Sequence, residues 1–284
     1  MQKKMTKRRK ALRRELKGLA FVAPAFIGLL VFTLYPMVNA VINSLYNYRK
    51  LFRNDEIYLI LSNTLRYVLY ILPFILVFGF LLGVLLQKKS KLNVAFRTLI
   101  YTPHVASMVG LSVVWLYIFN PQYGILNAAL SAVGLRPLRW INDTSTAHMS
   151  IVIVTIWRTL GYCVVVYLGA IQNISEEIIE AAHIDGANAW QTTWKITMPL
   201  VSPTTFMLLI LQTISIMKLF TTIENMTGGG PGNATANLPM MLYDYAFSRY
   251  QMGYASAIAM VLFALILLIN LIQMSLERFV SYDA

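Results

Sequence analysis

The sequence is poor in the residues that build covalent or catalytic centres in soluble proteins. Its 284 residues include one cysteine, Cys163, and three histidines, His104, His148 and His183. One cysteine excludes a disulfide framework and a CxxC site, so Cys163 is predicted to be a small packing residue. The three histidines share no spacing that a metal site uses. Charged residues make up 13% of the chain, whereas soluble domains carry about 25%.

Long runs of apolar residues take the place of these groups. Hydrophobic residues make up 57% of the chain, and the mean hydropathy is +0.60. A helix needs about 20 apolar residues to cross a bilayer, and six windows meet that requirement: 18–40, 67–86, 98–119, 148–171, 204–223 and 254–275. Within lipid, backbone N–H and C=O groups must be bonded inside the segment, so the windows are predicted to be helices. The predicted fold class is an all-α polytopic membrane protein with six transmembrane helices.

The net charge of +12 is unevenly distributed along the chain. Nine of the 24 basic residues lie in the first 17 positions, directly before the first apolar window. This pattern fits the positive-inside rule better than nucleic-acid binding. With 1–17 as a cytoplasmic tail and six crossings within 18–284, 15 basic residues lie inside, and six lie outside: Arg49, Lys50, Arg53, Arg136, Arg139 and Arg249. Both termini are predicted to be cytoplasmic. The first window exceeds the usual signal-peptide core of about 7–15 residues and is predicted to remain uncleaved.

Two polar features resemble catalytic motifs but lack essential parts. The stretch TGGGPGNAT, residues 227–235, lacks the Lys-Ser/Thr pair of a phosphate-binding loop and does not follow a strand. It is predicted to be a structural turn. The carboxylates Glu176, Glu177, Glu180 and Asp185 cluster in a connection between two apolar windows, not at membrane depth. No hydrolytic centre is apparent, so the chain is predicted not to be an enzyme.

Two basic residues fall inside the apolar windows, Arg158 and Lys218. A cation at the bilayer centre costs about 2.5–3.5 kcal/mol, and such residues usually face a bundle interior or an aqueous path. Both are placed in the outer half of their helices by residue count, so snorkelling to the outer surface is the competing interpretation. Proline at 73 and 103 and glycine at 161 and 169 predict bent or closely packed helices.

The connection after the fourth window has the features of a helix–turn–helix. Ser175 is predicted to cap a first helix with Glu176 and Glu177 in its first turn, and Ala181 and Ala182 allow another surface to approach closely. Gly186 permits a sharp turn. The second helix carries Trp190 and Trp194 one turn apart, and Pro199 and Pro203 are predicted to end it. Docking to a partner is favoured over a helix lying on the membrane surface.

The connection after the fourth window and three further stretches resemble those of a known protein family. EAAHIDGANAWQTTWKITMPLVSP, residues 180–203, is similar to the "EAA…G…I.LP" loop of bacterial ABC importer permeases, in the branch that includes the maltose and glycerol-phosphate systems. Further agreement comes from FVAPAFIGLLVFTLYPMVNAVINSL, FRTLIYTPHVASMVGLSVVWLYIFNPQYGILN and YDYAFSRYQMGYASAIAMVLF. The similarity covers nearly the whole chain.

The resemblance implies a type I ABC importer transmembrane-domain fold and a division of labour. This subunit would pair with a second, homologous permease. ATP and Mg would be bound by two partner ATPase subunits, with no cofactor on this chain, and an extracellular solute-binding protein would deliver a sugar or oligosaccharide. The coupling loop, about 175–202, would dock in an ATPase groove through a set of residues implied by the motif: Glu180, Ala181, Ala182, Asp185, Gly186, Ile196 and Pro199. Arg158, Lys218, Asn225 and Tyr245 are the candidates for the substrate pathway, and the location is the cytoplasmic (inner) membrane.

The sequence departs from the family pattern at two places, and three alternative functions stay open. The outer connection after the first window is short, and Phe220-Thr221 stands where relatives often have Phe-Asp, so the substrate cannot be carried over from them. The rivals are an ion-gradient-driven secondary transporter, a non-transporting scaffold, and an ABC permease for a non-sugar solute. The secondary transporter would usually show internal repeats, and none is found in the sequence.

Overall fold

The computed structural model describes residues 18–280, and the predicted 1–17 tail lies outside that range. Within it the chain is helical and contains no β-strand. In chain order the helices are α1 (Gly18–Ser44), α2 (Glu56–Leu86), α3 (Lys91–Val105), α4 (Met108–Ile118), α5 (Ile125–Ala132), α6 (Ala147–Gln172), α7 (Glu176–Ile184), α8 (Ala189–Thr192), α9 (Ser202–Met217), α10 (Thr221–Thr227), α11 (Leu238–Tyr243) and α12 (Met252–Val280). Single helical turns occur at Tyr48–Leu51, Trp140–Asn142 and Met198–Leu200, and π-helical turns at Leu30–Leu34, Thr193–Thr197 and Asp244–Ser248.

Most of the predicted spans are present as helices. Five spans in 18–280 are long and apolar enough to cross a bilayer, and the bent pair α3 and α4 raises the number to as many as six. The fourth and sixth windows correspond to α6 and α12. The second window corresponds to α2, which begins at Glu56 and so starts before the window does. The first turns of α2 contain polar residues, which an apolar window leaves out.

The third window is not a single rod: the prediction of one uninterrupted span was wrong, and the bend predicted from Pro103 was confirmed. Helix α3 ends at Val105 and α4 begins at Met108, with an angle of 102° between them. Ala106 and Ser107 have extended backbone, with ψ of 150° and 124°. Pro103 lies one turn before the break and lacks the N–H that a continuous helix needs. Average hydropathy does not change at such a break, so the sequence window could not show it.

The fifth window is interrupted too. Helix α9 ends at Met217, and α10 starts at Thr221 after three non-helical residues. The freed carbonyl of Leu219 accepts a hydrogen bond from the Asn237 side chain, so the interruption is satisfied from a distant loop.

The centre of the molecule is the close pair α2 and α6. A Cβ atom built at Gly79 would stand 2.9 Å from Cβ of Cys163, so this glycine lets the two helices meet. In lipid, helices associate through packing of this kind because the hydrophobic effect does not drive them together. Cys163 is fully buried there, as its predicted packing role requires. Gly161 makes a similar approach to α3, whereas Gly169 has no neighbour within 4 Å and does not mediate close packing.

A second cluster joins the start of α2 to α11 and α12. Its buried members are mainly apolar and include Leu51, Ile57, Ile60, Leu238, Met241, Tyr245, Tyr254 and Ile258. Helix α1 is peripheral: its last ten residues pack against α12, and none of its apolar window is buried. The arrangement leaves the 175–202 segment at one end of the bundle and the 228–237 loop with α5 at the other.

Candidate functional site

The 175–202 segment begins immediately after α6. Only Asn173, Ile174 and Ser175 separate α6 from α7, and the first two N–H groups of this connection still bond to carbonyls of α6, at 3.2 Å each. Ser175 occupies the N-cap position, but its side chain accepts no capping hydrogen bond, so its predicted capping role was wrong.

Gly186 makes the predicted turn between the two helices of the segment. Its φ is +83°, in the left-handed region that favours glycine. The N–H of Ala187 donates to the carbonyl of Ala182 at 2.9 Å, and the N–H of Gly186 donates to His183 at 3.1 Å. This pair of bonds is a Schellman motif, which satisfies the last carbonyls of α7.

The second helix begins with a capping box. The Asn188 side chain accepts from the N–H of Gln191, and the Gln191 side chain accepts from the N–H of Asn188, both at 2.9 Å. Helical bonding then continues through Pro199 to Leu200 by way of a π-helical turn. The helix ends at Leu200, between Pro199 and Pro203, as predicted, and Pro203 lies in the first turn of α9, where a proline N–H is not needed.

The predicted coupling residues differ in how much of their surface is exposed to solvent. Glu180, Ala181, Asp185 and Gly186 are exposed at the tip of the segment. Ile196 and Pro199 are half-buried where the segment joins the bundle. Ala182 differs from Ala181 because it is buried, with 7% of its surface exposed. The expectation that both alanines face outward is corrected: Ala181 alone offers a small exposed surface.

Arg158 lies close to the middle of α6. It is the twelfth of 26 residues, about 2 Å from the helix midpoint at 1.5 Å per residue. The residue is half-buried, and its Nε is buried with no hydrogen-bond partner in 18–280. His104 of α3 lies in the neighbourhood of Arg158, and its ring stacks on Tyr162 with centroids 5.0 Å apart. A polar cluster therefore exists at membrane depth, next to the break between α3 and α4.

Lys218 and Asn225 flank the second break. Lys218 is the exposed C-cap of α9. Asn225 is half-buried in α10, which packs against α4 and α6, and its Nδ2 has no partner within the described range. Asn225 also lines a hollow of about 520 Å³ together with Glu224 and Asn142.

Tyr245 does not belong with these residues. It is 7% exposed in the cluster between α2 and α12, with its ring 4.2 Å from Tyr254 and the Arg249 guanidinium 4.3 Å from its centroid. Burial raises the pKa of Tyr245. Its candidacy for the substrate pathway is corrected to a structural role.

The TGGGPGNAT stretch forms the predicted structural turn. Asn63 of α2 donates to the carbonyls of Asn233 and Ala236 at 2.9 and 3.1 Å, and the Tyr67 hydroxyl donates to Thr235 at 2.9 Å. The Asn233 side chain donates in turn to Glu56 at 2.5 Å. The loop is therefore held on the side of α2. Across 18–280, no three His, Cys, Asp or Glu side chains are arranged to hold a metal ion.

The family model described as "Binding-protein-dependent transport system inner membrane component" matches residues 75–282, from the middle of α2 to the end of α12. The chain belongs to this family. It is therefore a membrane component of a binding-protein-dependent transport system, and membership accounts for the apolar spans and for the predicted inner-membrane location.

Individual relatives of this permease family align over most of their length. The probable ABC transporter permease proteins YurN and YesP of Bacillus subtilis are each 34% identical, covering 89% and 99% of this chain and 93% and 96% of theirs. The lactose transport system permease protein LacF of Rhizobium radiobacter is 30% identical over 96% of this chain and 98% of its own. A chain of the bacterial alginate ABC transporter, solved with its alginate pentasaccharide-bound periplasmic protein, superposes with a TM-score of 0.87 at 23% identity. It covers 96% of this chain and 97% of that chain. That likeness shows the fold of an ABC importer permease.

The sequence interpretation named Trp190 in the permease's 175–202 segment but missed Ile184. Ile184 is 85% exposed and Trp190 is 69% exposed, on either side of the Gly186 turn. Large apolar side chains at such exposure indicate an interaction surface when they adjoin one another. The sequence did contain a signal for this surface: Ile184 lies three residues after Ala181, which places both residues on one face of α7.

Proposed function

We propose that the chain is the permease subunit of an ATP-driven ABC importer for a sugar or oligosaccharide. The proposal draws on the family and on relatives named for sugar transport, among them the lactose permease LacF and the multiple sugar-binding transport system permease MsmF of Streptococcus mutans. The partners would be a second, homologous permease, two ATPase subunits that hold ATP and Mg, and an extracellular solute-binding protein. This chain would bind no cofactor and would hydrolyse no ATP.

The observation that carries the proposal is the rigid tip of the 175–202 segment. Glu180, Ala181, Asp185 and Gly186 are exposed around a turn that is fixed by a Schellman motif and a capping box. Ile184 adds exposed apolar surface beside Ala181. In the proposed mechanism this tip enters an ATPase groove, and closure of the ATPase dimer moves it as one body. The half-buried Ile196 and Pro199 anchor it to the bundle.

The proposed orientation places both termini and the 175–202 segment in the cytoplasm. It is supported by the 15 basic residues on that side against six on the other. The 228–237 loop and α5 then face the solute-binding protein, at the opposite end from the ATPase.

The proposed substrate path runs beside Arg158, Lys218 and Asn225. Two breaks at membrane depth support it, since non-helical backbone is tolerated in a membrane where it lines a cavity or is buried in protein. The nitrogens of Arg158 and Asn225 are buried and unpartnered in this structure, and in the proposed mechanism they donate to sugar hydroxyls when the path opens.

The docking proposal is tested by adding bulk at the tip. Ala181→Trp is expected to leave the permease inserted and assembled but to reduce ATP hydrolysis stimulated by the solute-binding protein at least tenfold, because the indole prevents close approach of the ATPase. The matched control is Ala181→Ser, which keeps a small side chain at the same exposed position and should retain normal stimulation. Normal stimulation in the Ala181→Trp variant would contradict docking at this tip.

A further inference from the structure

The structure holds a polar pocket outside the proposed substrate path. It lies between the outer part of α2 and the first turn of α6 and has a volume of about 470 Å³. Its polar lining comes from two helices and the turn before α6: Asn63, Arg66, Tyr70, Thr144, Ser145 and His148. Leu59 and Met149 contribute apolar side chains, and Gly232 and Ala234 of the 228–237 loop complete the wall and add almost no side chain.

The chemistry of the pocket favours an anion. Arg66 is exposed and has no carboxylate within 4 Å and no hydrogen bond among residues 18–280. The neighbouring carboxylate, Asp143, is engaged by the Ser145 hydroxyl at 2.7 Å and its N–H at 2.9 Å. The Ser145 hydroxyl bond is the main reason that the pKa of Asp143 is lowered. The Arg66 guanidinium is suited to bind a carboxylate through paired hydrogen bonds, and the Tyr70 and Thr144 hydroxyls line the same pocket.

The pocket walls are held in place before any ligand arrives. The His148 ring stacks on Tyr67 with centroids 4.1 Å apart. The Tyr67 hydroxyl and Asn63 amide hold the 233–236 backbone, and the N–H of Leu238 donates to Thr64 at 3.1 Å. Preorganised walls lower the entropy lost on association.

We propose that this pocket receives an aspartate or glutamate side chain of the solute-binding protein. The inference rests on the proposed function, which places this end of the bundle outside the cell. A protein partner at this end is implied by the family, whose transport systems depend on a binding protein. Arg66 supplies the charge that pairs with the carboxylate, and the small residues of the 228–237 loop let the partner's backbone come close.

The test uses the complete transporter in nanodiscs and the solute-binding protein that stimulates its ATP hydrolysis most strongly. Arg66→Gln is expected to raise the half-maximal concentration of binding protein about tenfold and to weaken its salt dependence, because one charge pair with the binding protein is lost. Arg66→Lys should fall between wild type and Arg66→Gln, since it keeps the charge without the planar fork. Arg53→Gln is the matched control, an exposed outer arginine away from the pocket, and should shift the value less than twofold.

Charge reversal makes the test specific for a protein carboxylate. Arg66→Glu should be rescued by one acidic-to-lysine change on the binding protein, found by scanning its acidic surface residues. Equal values for Arg66→Gln and Arg53→Gln would overturn the inference. An Arg66→Gln effect that appears with phosphatidylglycerol but vanishes in pure phosphatidylcholine would also overturn it, because the occupant would then be a lipid phosphate. If no binding protein stimulates the wild-type complex, the proposed function itself fails, and the inference with it.

Discussion

Gly161 lies where α6 crosses α3, and a Cβ atom built there would stand 2.0 Å from the backbone oxygen of Ile100. The contact is with backbone, so no side chain can rotate away to make room. At the scale of single residues, this crossing and the Gly79–Cys163 contact set how closely the central helices pack. Gly169, eight residues further along α6, has no neighbour within 4 Å, although it looks equivalent in the sequence.

This difference gives a matched pair of variants. Gly161→Ala is expected to destabilise the permease by at least about 2 kcal/mol, because overpacking displaces the α3 backbone. Gly169→Ala should be neutral or slightly stabilising, since alanine is the better helix former. Thermal unfolding of the purified protein in detergent measures both, and equal midpoints would contradict the close crossing.

Arg158 gives a second prediction at this scale. Removing a cation from the middle of an apolar helix should ease insertion by about 2.5–3.5 kcal/mol. If Arg158 contacts substrate, Arg158→Met should still lower transport at least tenfold while the amount of assembled complex stays equal or rises. Uptake of labelled sugar, normalised to complex in the membrane, separates the two effects. Unchanged uptake would place Arg158 outside the path.

At the scale of elements, some features of the 175–202 segment could be predicted from the sequence and others could not. The turn at Gly186 could be predicted because glycine in the left-handed region is a local property. The face presented by Ala182 could not, since α7 packs against the rest of the segment and buries that side. The bend at 106–107 was indicated by Pro103, whereas the break at 218–220 escaped prediction, because hydropathy averages composition and carries no information about backbone direction. The hydrogen bonds from Asn63 to the 233–236 backbone connect residues about 170 positions apart and have no local signal.

The Gly186 turn can be tested with a variant that imposes strain alone. An alanine at its φ of +83° costs roughly 1–2 kcal/mol, so Gly186→Ala should raise amide hydrogen exchange across residues 182–190 and weaken stimulated ATP hydrolysis. Gly134 offers the control, with a φ of +78° and open space around it at the opposite end of the bundle. Gly134→Ala carries the same strain at the other end and should leave hydrogen exchange across residues 182–190 at the wild-type level. The same rise in exchange in both variants would mean that general instability, not the turn, is responsible.

For the whole molecule, the buried state of Cys163 makes the proposed topology measurable. This cysteine is 0% exposed, so the wild-type chain gives little background with thiol reagents. Asp185→Cys is expected to react with a membrane-impermeant maleimide only in inside-out vesicles, and Arg136→Cys only in right-side-out vesicles. Reaction from the opposite sides would reverse the proposed orientation and remove the docking site from the cytoplasm.

The three-residue connection between α6 and α7 limits how the transporter can respond to force. Even fully extended, three residues reach only about 10 Å, and two of these are already bonded to the last turn of α6. In the proposed docking, a force on the tip is therefore expected to tilt α6, because the connection cannot lengthen. Because α2 packs closely on α6 at Gly79 and Cys163, we expect α2 to tilt with it, and the far end of the pair carries the Arg66 pocket.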